Sequence, residues 1–287
     1  MPKMTSASTR HFGKVFDQIA NDYDRYRPGY PNELIDYACQ IAELKSGDNV
    51  LELGCGSGQL TRALVSRGFR VAALEPGKQL IALAEQNLKR QGAADFINAK
   101  FEDAVLPKGH YKAIFSALAF HWIDPDISWQ KTAELLVPGG VLALMQHFGL
   151  SEKRTSKDLD LQLAALKKIA PEVVAKWPHY YELDEIIDGV KMRHKNISDV
   201  WTWLGNYDLK RNYARNLFKD IRIAAVPNLI EQTADELIAL FNTISIYSSL
   251  SKHQRSDLKN EYNEIYKKLG RRIRSSTVTV LITAKRS

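Results

Sequence analysis

Two cysteines in 287 residues, Cys39 and Cys55, are too few for a disulfide framework, and their spacing is not that of a metal site. No apolar run approaches the length of a membrane span, and the first residues, Met-Pro-Lys-Met-Thr-Ser-Ala-Ser-Thr-Arg, lack the apolar stretch of a secretory leader. The expectation is a cytoplasmic protein with no membrane partner and no metal. An excess of one charge is also missing from most of the chain: residues 1–148 carry 16 basic and 16 acidic side chains and residues 149–251 carry 14 of each. The whole net charge of +7 therefore lies in residues 252–287, with 10 basic against 3 acidic groups. Lys267, Lys268, Arg271, Arg272 and Arg274 crowd the end of an expected helix over Lys252–Leu269, where cations meet the negative end of the helix dipole. A solvated helix end accounts for that patch, so nucleic acid is not an expected partner. Composition otherwise is ordinary globular usage, 45% hydrophobic and 25% charged, in a chain long enough for one large core with an elaboration.

Against these absences stands Val50-Leu51-Glu52-Leu53-Gly54-Cys55-Gly56-Ser57-Gly58, an apolar strand with an embedded acid that runs into three alternating glycines. Without Cβ atoms such a turn can take positive φ and bring bare backbone against a ligand. An ordinary strand-to-helix turn is the plain alternative. A dinucleotide fingerprint would need its third glycine at position 59, which is Gln59, and no Gly-Lys-Ser/Thr follows for an ATP-type phosphate loop. Glu52 under the turn would repel a pyrophosphate and attract an ammonium group. The remaining fit is S-adenosylmethionine, whose methionine end carries one. Glu75, about 20 residues past the first glycine and at the end of a second apolar run, stands where an acid can take both ribose hydroxyls.

Further strand-like runs cover residues 95–103, 113–118 and 140–147, and they alternate with helical stretches at 59–67 and 78–90 that stop at Gly68 and Gly92. Alternation of this kind predicts a parallel sheet wrapped by helices, with ligands beyond the carboxyl ends of the strands. Glu52, Glu75, Glu102 and His121 all stand at such ends. Two later runs, 221–226 and 277–283, read as a sixth and a seventh strand.

Residues 48–148 resemble a class I S-adenosylmethionine-dependent methyltransferase domain, with Glu52 to Gly58 on its glycine motif and Glu75 on its ribose acid. Phe16-Asp-Gln-Ile-Ala-Asn-Asp-Tyr-Asp-Arg-Tyr-Arg-Pro-Gly-Tyr-Pro31 and the His121-Trp122 pair narrow the resemblance to the trans-aconitate methyltransferase-like small-molecule group, although Lys100 departs from that pattern near the adenine. The resemblance implies an α/β, Rossmann-like, seven-stranded and mostly parallel sheet with an antiparallel last strand, plus a helical insertion. It divides the chain into an amino-terminal cap segment with the first helix (1–47), a cofactor-binding core (48–148), a helical insertion serving as substrate lid (149–215) and a completion of the sheet (216–287). It also places Tyr23 and Arg27 near the methionine carboxylate.

The expected cofactor contacts are thus Tyr23, Arg27, Glu52, Gly54, Gly56, Gly58, Glu75, Pro76, Phe101, Glu102 and Ala117, for S-adenosylmethionine and its product S-adenosylhomocysteine. His121 is the candidate base, against a histidine that only bonds a neighbouring loop. The insertion gathers Trp177, Tyr180, Tyr181, Trp201, Trp203 and Tyr207, so Trp122, Trp201, Trp203, Ser245 and Tyr247 are the expected acceptor contacts, with local packing or a dimerising subdomain as the alternative. Methyl transfer is an in-line displacement that asks mainly for alignment and exclusion of water, and an acceptor that is already ionised needs no base. A small-molecule acceptor and a monomer or homodimer are expected. An RNA or protein methyltransferase, or a non-catalytic cofactor-binding protein, stays open. Against the first of these, Ala117-Leu118-Ala119-Phe120 stands where amino-methylating nucleic-acid enzymes often carry Asn/Asp-Pro-Pro-aromatic.

Overall fold

The computed structural model describes residues 24–88, 94–174, 179–205, 213–244 and 247–287. After α1 (Asn32–Ile41) come β1 (Asn49–Leu53), α2 (Gln59–Val65), β2 (Arg70–Leu74), α3 (Lys78–Leu88), β3 (Ala94–Ile97) and β4 (Tyr111–Ala117). The chain continues through α4 (Pro125–Leu135), β5 (Leu136–Gly149), α5 (Ser156–Ile169), α6 (Pro171–Val174), α7 (Leu183–Arg193) and α8 (Ile197–Leu204). It closes with β6 (Phe218–Gln232), α9 (Ala234–Asn242), α10 (Lys252–Leu269) and β7 (Ile273–Arg286).

These strands form one seven-stranded sheet in the order β3-β2-β1-β4-β5-β7-β6. All pairs from β3 to β5 are parallel, whereas β7 runs antiparallel to both of its neighbours. The Rossmann-like sheet with an inverted last strand is therefore the fold. Its inner strands β1 and β4 are largely apolar and buried because both faces are covered. Along β5, Val141, Ala143 and Met145 join α1 and α2 in one core, while Leu142 and Leu144 join α8 and the aromatic pair Phe120 and Trp129 in the other. A third core holds α5, α9 and α10 together.

Strand boundaries differ from the sequence reading, most of all at the third strand and at the last two. The third strand stops at Ile97, so Phe101 and Glu102 lie in the following turn. The last two strands are much longer than 221–226 and 277–283, because β6 and β7 pair from Phe218↔Arg286 through Gln232↔Ile273. The outer strand β6 is solvated on much of its length and so carries Asn228, Glu231 and even Pro227, which an edge tolerates and an apolar-run criterion misses.

The basic patch is also revised, because acidic groups from three other elements meet it. Arg271 makes a two-pronged bond to the buried Asp158 of α5, 2.8 Å on each oxygen. Arg272 pairs with Glu236 of α9, Arg274 with Glu231 of β6 at 2.7 Å, and Lys267 with Glu264 at 2.8 Å. Asp158 additionally accepts the Arg274 amide at 2.7 Å, which ties α5 to the turn that launches β7. Burial works against ionisation of Asp158, but the Arg271 and Arg274 bonds outweigh it and hold the carboxyl below its ordinary value of 3.8. A depressed carboxyl contributes stability that is complete above the ordinary value and is lost as the pH falls through the lowered one. The Asp158→Asn variant should accordingly lose about 1–2 kcal/mol in urea unfolding at pH 7, since Arg271 can turn to water and limit the cost. The difference from wild type should shrink toward zero below pH 3.8.

Candidate active site

The glycine turn is tied to the neighbouring strand tips before any ligand is considered. Gly54, Gly56 and Gly58 take φ of +72°, +55° and +85°. A Cβ on Gly54 would collide with the Cβ of Ala119 just beyond β4, so this close approach needs glycine. The Leu74 carbonyl at the end of β2 accepts the amides of Gly54 at 2.8 Å and Cys55 at 3.1 Å. Next along, Glu75 reaches back: Oε2 accepts the Gly56 amide at 3.2 Å and Oε1 accepts the Gly77 amide at 2.9 Å. Asn98, after β3, donates from Nδ2 to the carbonyls of Glu75 and Pro76, both at 3.0 Å. Three strand ends are thereby locked around one carboxylate. Asn98 escaped the sequence reading, its only signal being a polar residue directly after a strand.

Glu52 sits beneath this turn, 1% exposed, with Oε2 accepting from the Thr61 hydroxyl of α2 at 2.6 Å. Burial raises its carboxyl to about 7, the Thr61 bond opposes this, and the nearby Glu75 charge adds to it. The Cys55 thiol in the same turn is pushed well up, mainly by burial and then by Glu52 and Glu75, and so is inert.

Across from the glycines, the amino-terminal segment lies against the sheet edge. The Gln59 side-chain amide, at the head of α2, donates to the carbonyls of Asp24 at 3.2 Å and Arg27 at 3.4 Å. Arg27 donates to the Thr243 carbonyl just past α9 at 2.6 Å. Its charge also reaches two histidines at the strand ends. His121 follows β4 in a turn entered through Leu118, which takes φ of +56°, a strained value for a branched side chain. His147 lies two residues before the end of β5, stacked on Tyr30 with ring centres 5.3 Å apart and planes 11° apart. Burial, and then Arg27, lower His121 to about 3 and His147 to about 4. Both imidazoles are therefore neutral at physiological pH. A neutral His121 can accept a proton only weakly, so its role as a general base is confined to acceptors whose proton is already acidic.

The other expected contacts have defined packing partners. Phe101 is 3% exposed inside the aromatic core, where the Lys131 ammonium lies 4.9 Å from its ring centre. Glu102 accepts the Asp124 amide at 3.0 Å and thus braces the turn that starts α4. Ala117 is buried within β4, and Trp122 lies against His121 with ring centres 4.7 Å apart. Trp201 is buried against Phe120, and Trp203 lies across Gly189 of α7 under the Arg193 guanidinium, 4.5 Å from its ring centre. Tyr247 is fully enclosed with Phe241 in the third core. Trp201, Trp203 and Tyr247 thus hold the helices to one another and to the sheet, as the packing alternative has it; apolar side chains of this size reach core as readily as cleft. Tyr23, Ser245, Trp177 and Tyr207 lie outside the described residues. Among the described residues no group of His, Cys, Asp and Glu could hold a metal ion, and no helix is long and apolar enough to cross a membrane.

With this geometry in place, comparison with known proteins is direct. Residues 51–144 match the family described as methyltransferase domain. An uncharacterized methyltransferase of Mycobacterium tuberculosis is 33% identical over 140 residues, 49% of this chain and 55% of the relative. Another, from Geobacillus kaustophilus, is 32% identical over 140 residues, 46% of this chain and 64% of the relative. The chain spans little more than half the length of such curated relatives. Among solved structures, a protein provisionally called a type II methyltransferase from Anaeromyxobacter dehalogenans aligns with a TM-score of 0.58 at 18% identity, over 91% of this chain and 98% of that one. Phosphoethanolamine N-methyltransferase 2 of Haemonchus contortus, bound to phosphomonomethylethanolamine and S-adenosylhomocysteine, aligns with a TM-score of 0.50 at 12% identity, over 99% of this chain and 60% of that one. Residues 51–144 thus match a methyltransferase domain, and the fold of the chain is the one these solved structures share.

Because Glu52 titrates near 7 in the folded chain and near 4.5 when unfolded, its contribution to stability is complete below 4.5 and disappears as the pH rises to 7. Glu52→Gln keeps an acceptor for Thr61 without the charge. The ligand-free variant should melt higher than wild type at pH 8 and close to it at pH 4.5. Scanning calorimetry at the two pH values reads the difference, and an equal shift at both would place the effect in packing rather than charge.

Proposed function

We propose that this protein is an S-adenosylmethionine-dependent methyltransferase acting on a small-molecule acceptor, of the trans-aconitate methyltransferase-like group. The observation that carries the reading is Glu75, held by the Gly56 and Gly77 amides at the mouth of the glycine turn. A carboxylate has lone pairs beyond two backbone bonds, so Glu75 can still accept from ribose hydroxyls. Gly54, Gly56 and Gly58 would hold the methionine end, Glu52 its ammonium and Arg27 its carboxylate, while Pro76 and the residues after β3 would border the adenosine. Tyr23 belongs to the same proposed set.

Bound there, S-adenosylmethionine supplies an electrophilic methyl carbon on a good leaving group. The chain's own residues then orient the acceptor and exclude water. The strap formed by residues 24–30, pinned by Gln59 and Arg27, would close the site, and helices α5 to α8 would complete the lid from the other side. His121 would hydrogen-bond the acceptor and receive its proton where one is released. Pairing of Arg271, Arg272 and Arg274 with acidic partners supports a small acceptor over RNA, since a paired arginine is poorly placed to bind phosphates.

Calorimetry should show saturable binding of S-adenosylhomocysteine and none of NAD. Glu75→Ala should weaken S-adenosylhomocysteine binding by about 1.5–3 kcal/mol and should also lower the melting temperature, since the Gly56 and Gly77 amides lose their acceptor. Methyl-labelled cofactor incubated with fractionated cell extract should place label in small molecules. Label confined to RNA or protein would overturn the acceptor class.

A further inference from the structure

We propose that His147 is an acceptor-binding residue, with Nε2 completing its hydrogen bonding on the molecule that receives the methyl group. The proposal rests on the methyltransferase reading above. Its first support is position. The Met145 carbonyl accepts the Leu118 amide at 3.0 Å, so the end of β5 is joined to the exit of β4 that carries His121. His147 is two residues further along the same face of β5 as Met145, at the carboxyl edge where ligands of such sheets bind.

The second support is how the ring is held. His147 and Thr279 are cross-strand partners in the β5–β7 ladder, and Nδ1 lies 2.9 Å from the Thr279 hydroxyl. Tyr30 covers one face of the imidazole. Together they fix both the tilt and the edge of the ring, and β7 lies beside β5 only because the last strand is inserted antiparallel. That is how a positioning scaffold looks, with the reactive edge carried on a strand rather than on a loop.

The third support is what is left over. Nε2 is closed off from solvent and no well-aligned hydrogen bond reaches it, while the Pro28 carbonyl approaches the ring and favours its protonated form. A buried polar nitrogen that is left poorly satisfied is costly and calls for an explanation beyond packing. Burial, joined by the Arg27 charge, outweighs the Pro28 carbonyl, and the neutral form wins. A neutral imidazole offers either an N–H or a lone pair at Nε2, depending on which way the Thr279 hydroxyl turns. Arg27, close to both histidines, also disfavours a cationic group on the acceptor at this end of the site.

The test compares His147→Asn, Thr279→Val and Thr279→Ser with wild type. The probes are S-adenosylhomocysteine for cofactor binding and the extract fraction that takes up methyl label from S-adenosylmethionine for transfer. Expected is a dissociation constant for S-adenosylhomocysteine within twofold of wild type in all three. Half-saturation by the labelled fraction should rise at least tenfold in His147→Asn and three- to tenfold in Thr279→Val, with turnover at saturation changed less, and Thr279→Ser should restore it. Normal half-saturation in His147→Asn, or equal loss of cofactor binding and transfer in both His147→Asn and Thr279→Val, would overturn the assignment. If wild type binds S-adenosylhomocysteine and labels nothing, the transferase reading fails and this inference with it. If it labels RNA or protein, only the small-molecule reading fails.

Discussion

The Glu75 carboxylate accepts one amide from the glycine turn after β1 and another from its own turn after β2, while Asn98 grips the same turn from β3. Parallel strands carry no tight hairpins to hold their ends together, so something else must bring their carboxyl tips into register. Here a buried anion with backbone donors does it, and charge-assisted bonds of this sort are among the strong ones. The glycine turn, the head of α2 and the entrance to α3 all depend on that knot.

Around it the site is assembled by elements far apart in sequence. Gln59 in the glycine motif binds the Asp24 and Arg27 carbonyls, and Arg27 binds the Thr243 carbonyl some 216 positions later. The electrostatics follow the same division: two carboxylates, Glu52 and Glu75, lie at the glycine turn, whereas Arg27 and two neutral imidazoles lie at the strap. Carboxyl groups beneath the glycines and a guanidinium at the strap would suit the zwitterionic amino-acid end proposed above.

The aromatics of the later half show how burial redistributes candidates. Trp201, Trp203 and Tyr247 looked like pocket walls by composition, yet they bind α7, α8, α9 and α10 into the fold through Phe120, Gly189 and Phe241. The same economy governs the basic carboxyl-terminal residues, whose guanidinium groups clamp α5, α9 and β6 to the start of β7. Surface charge counted along a chain overstates the field wherever opposite charges arrive from other elements.

Local chemistry was enough for the order of strands and helices, for the glycine turn with Glu52 beneath it, and for Glu75 at the next strand tip, because periodicity and turn residues act over a few positions. The ends of β6 and β7 were not legible, since an antiparallel edge pair accepts polar residues and is extended by its partner rather than by its own pattern. His147 and Thr279 were hidden for a stronger reason. They meet only because β7 is slotted between β5 and β6. Nothing in either segment encodes that register, and the neutrality of both histidines comes from burial and from Arg27, which the tertiary fold brings in from outside the strands.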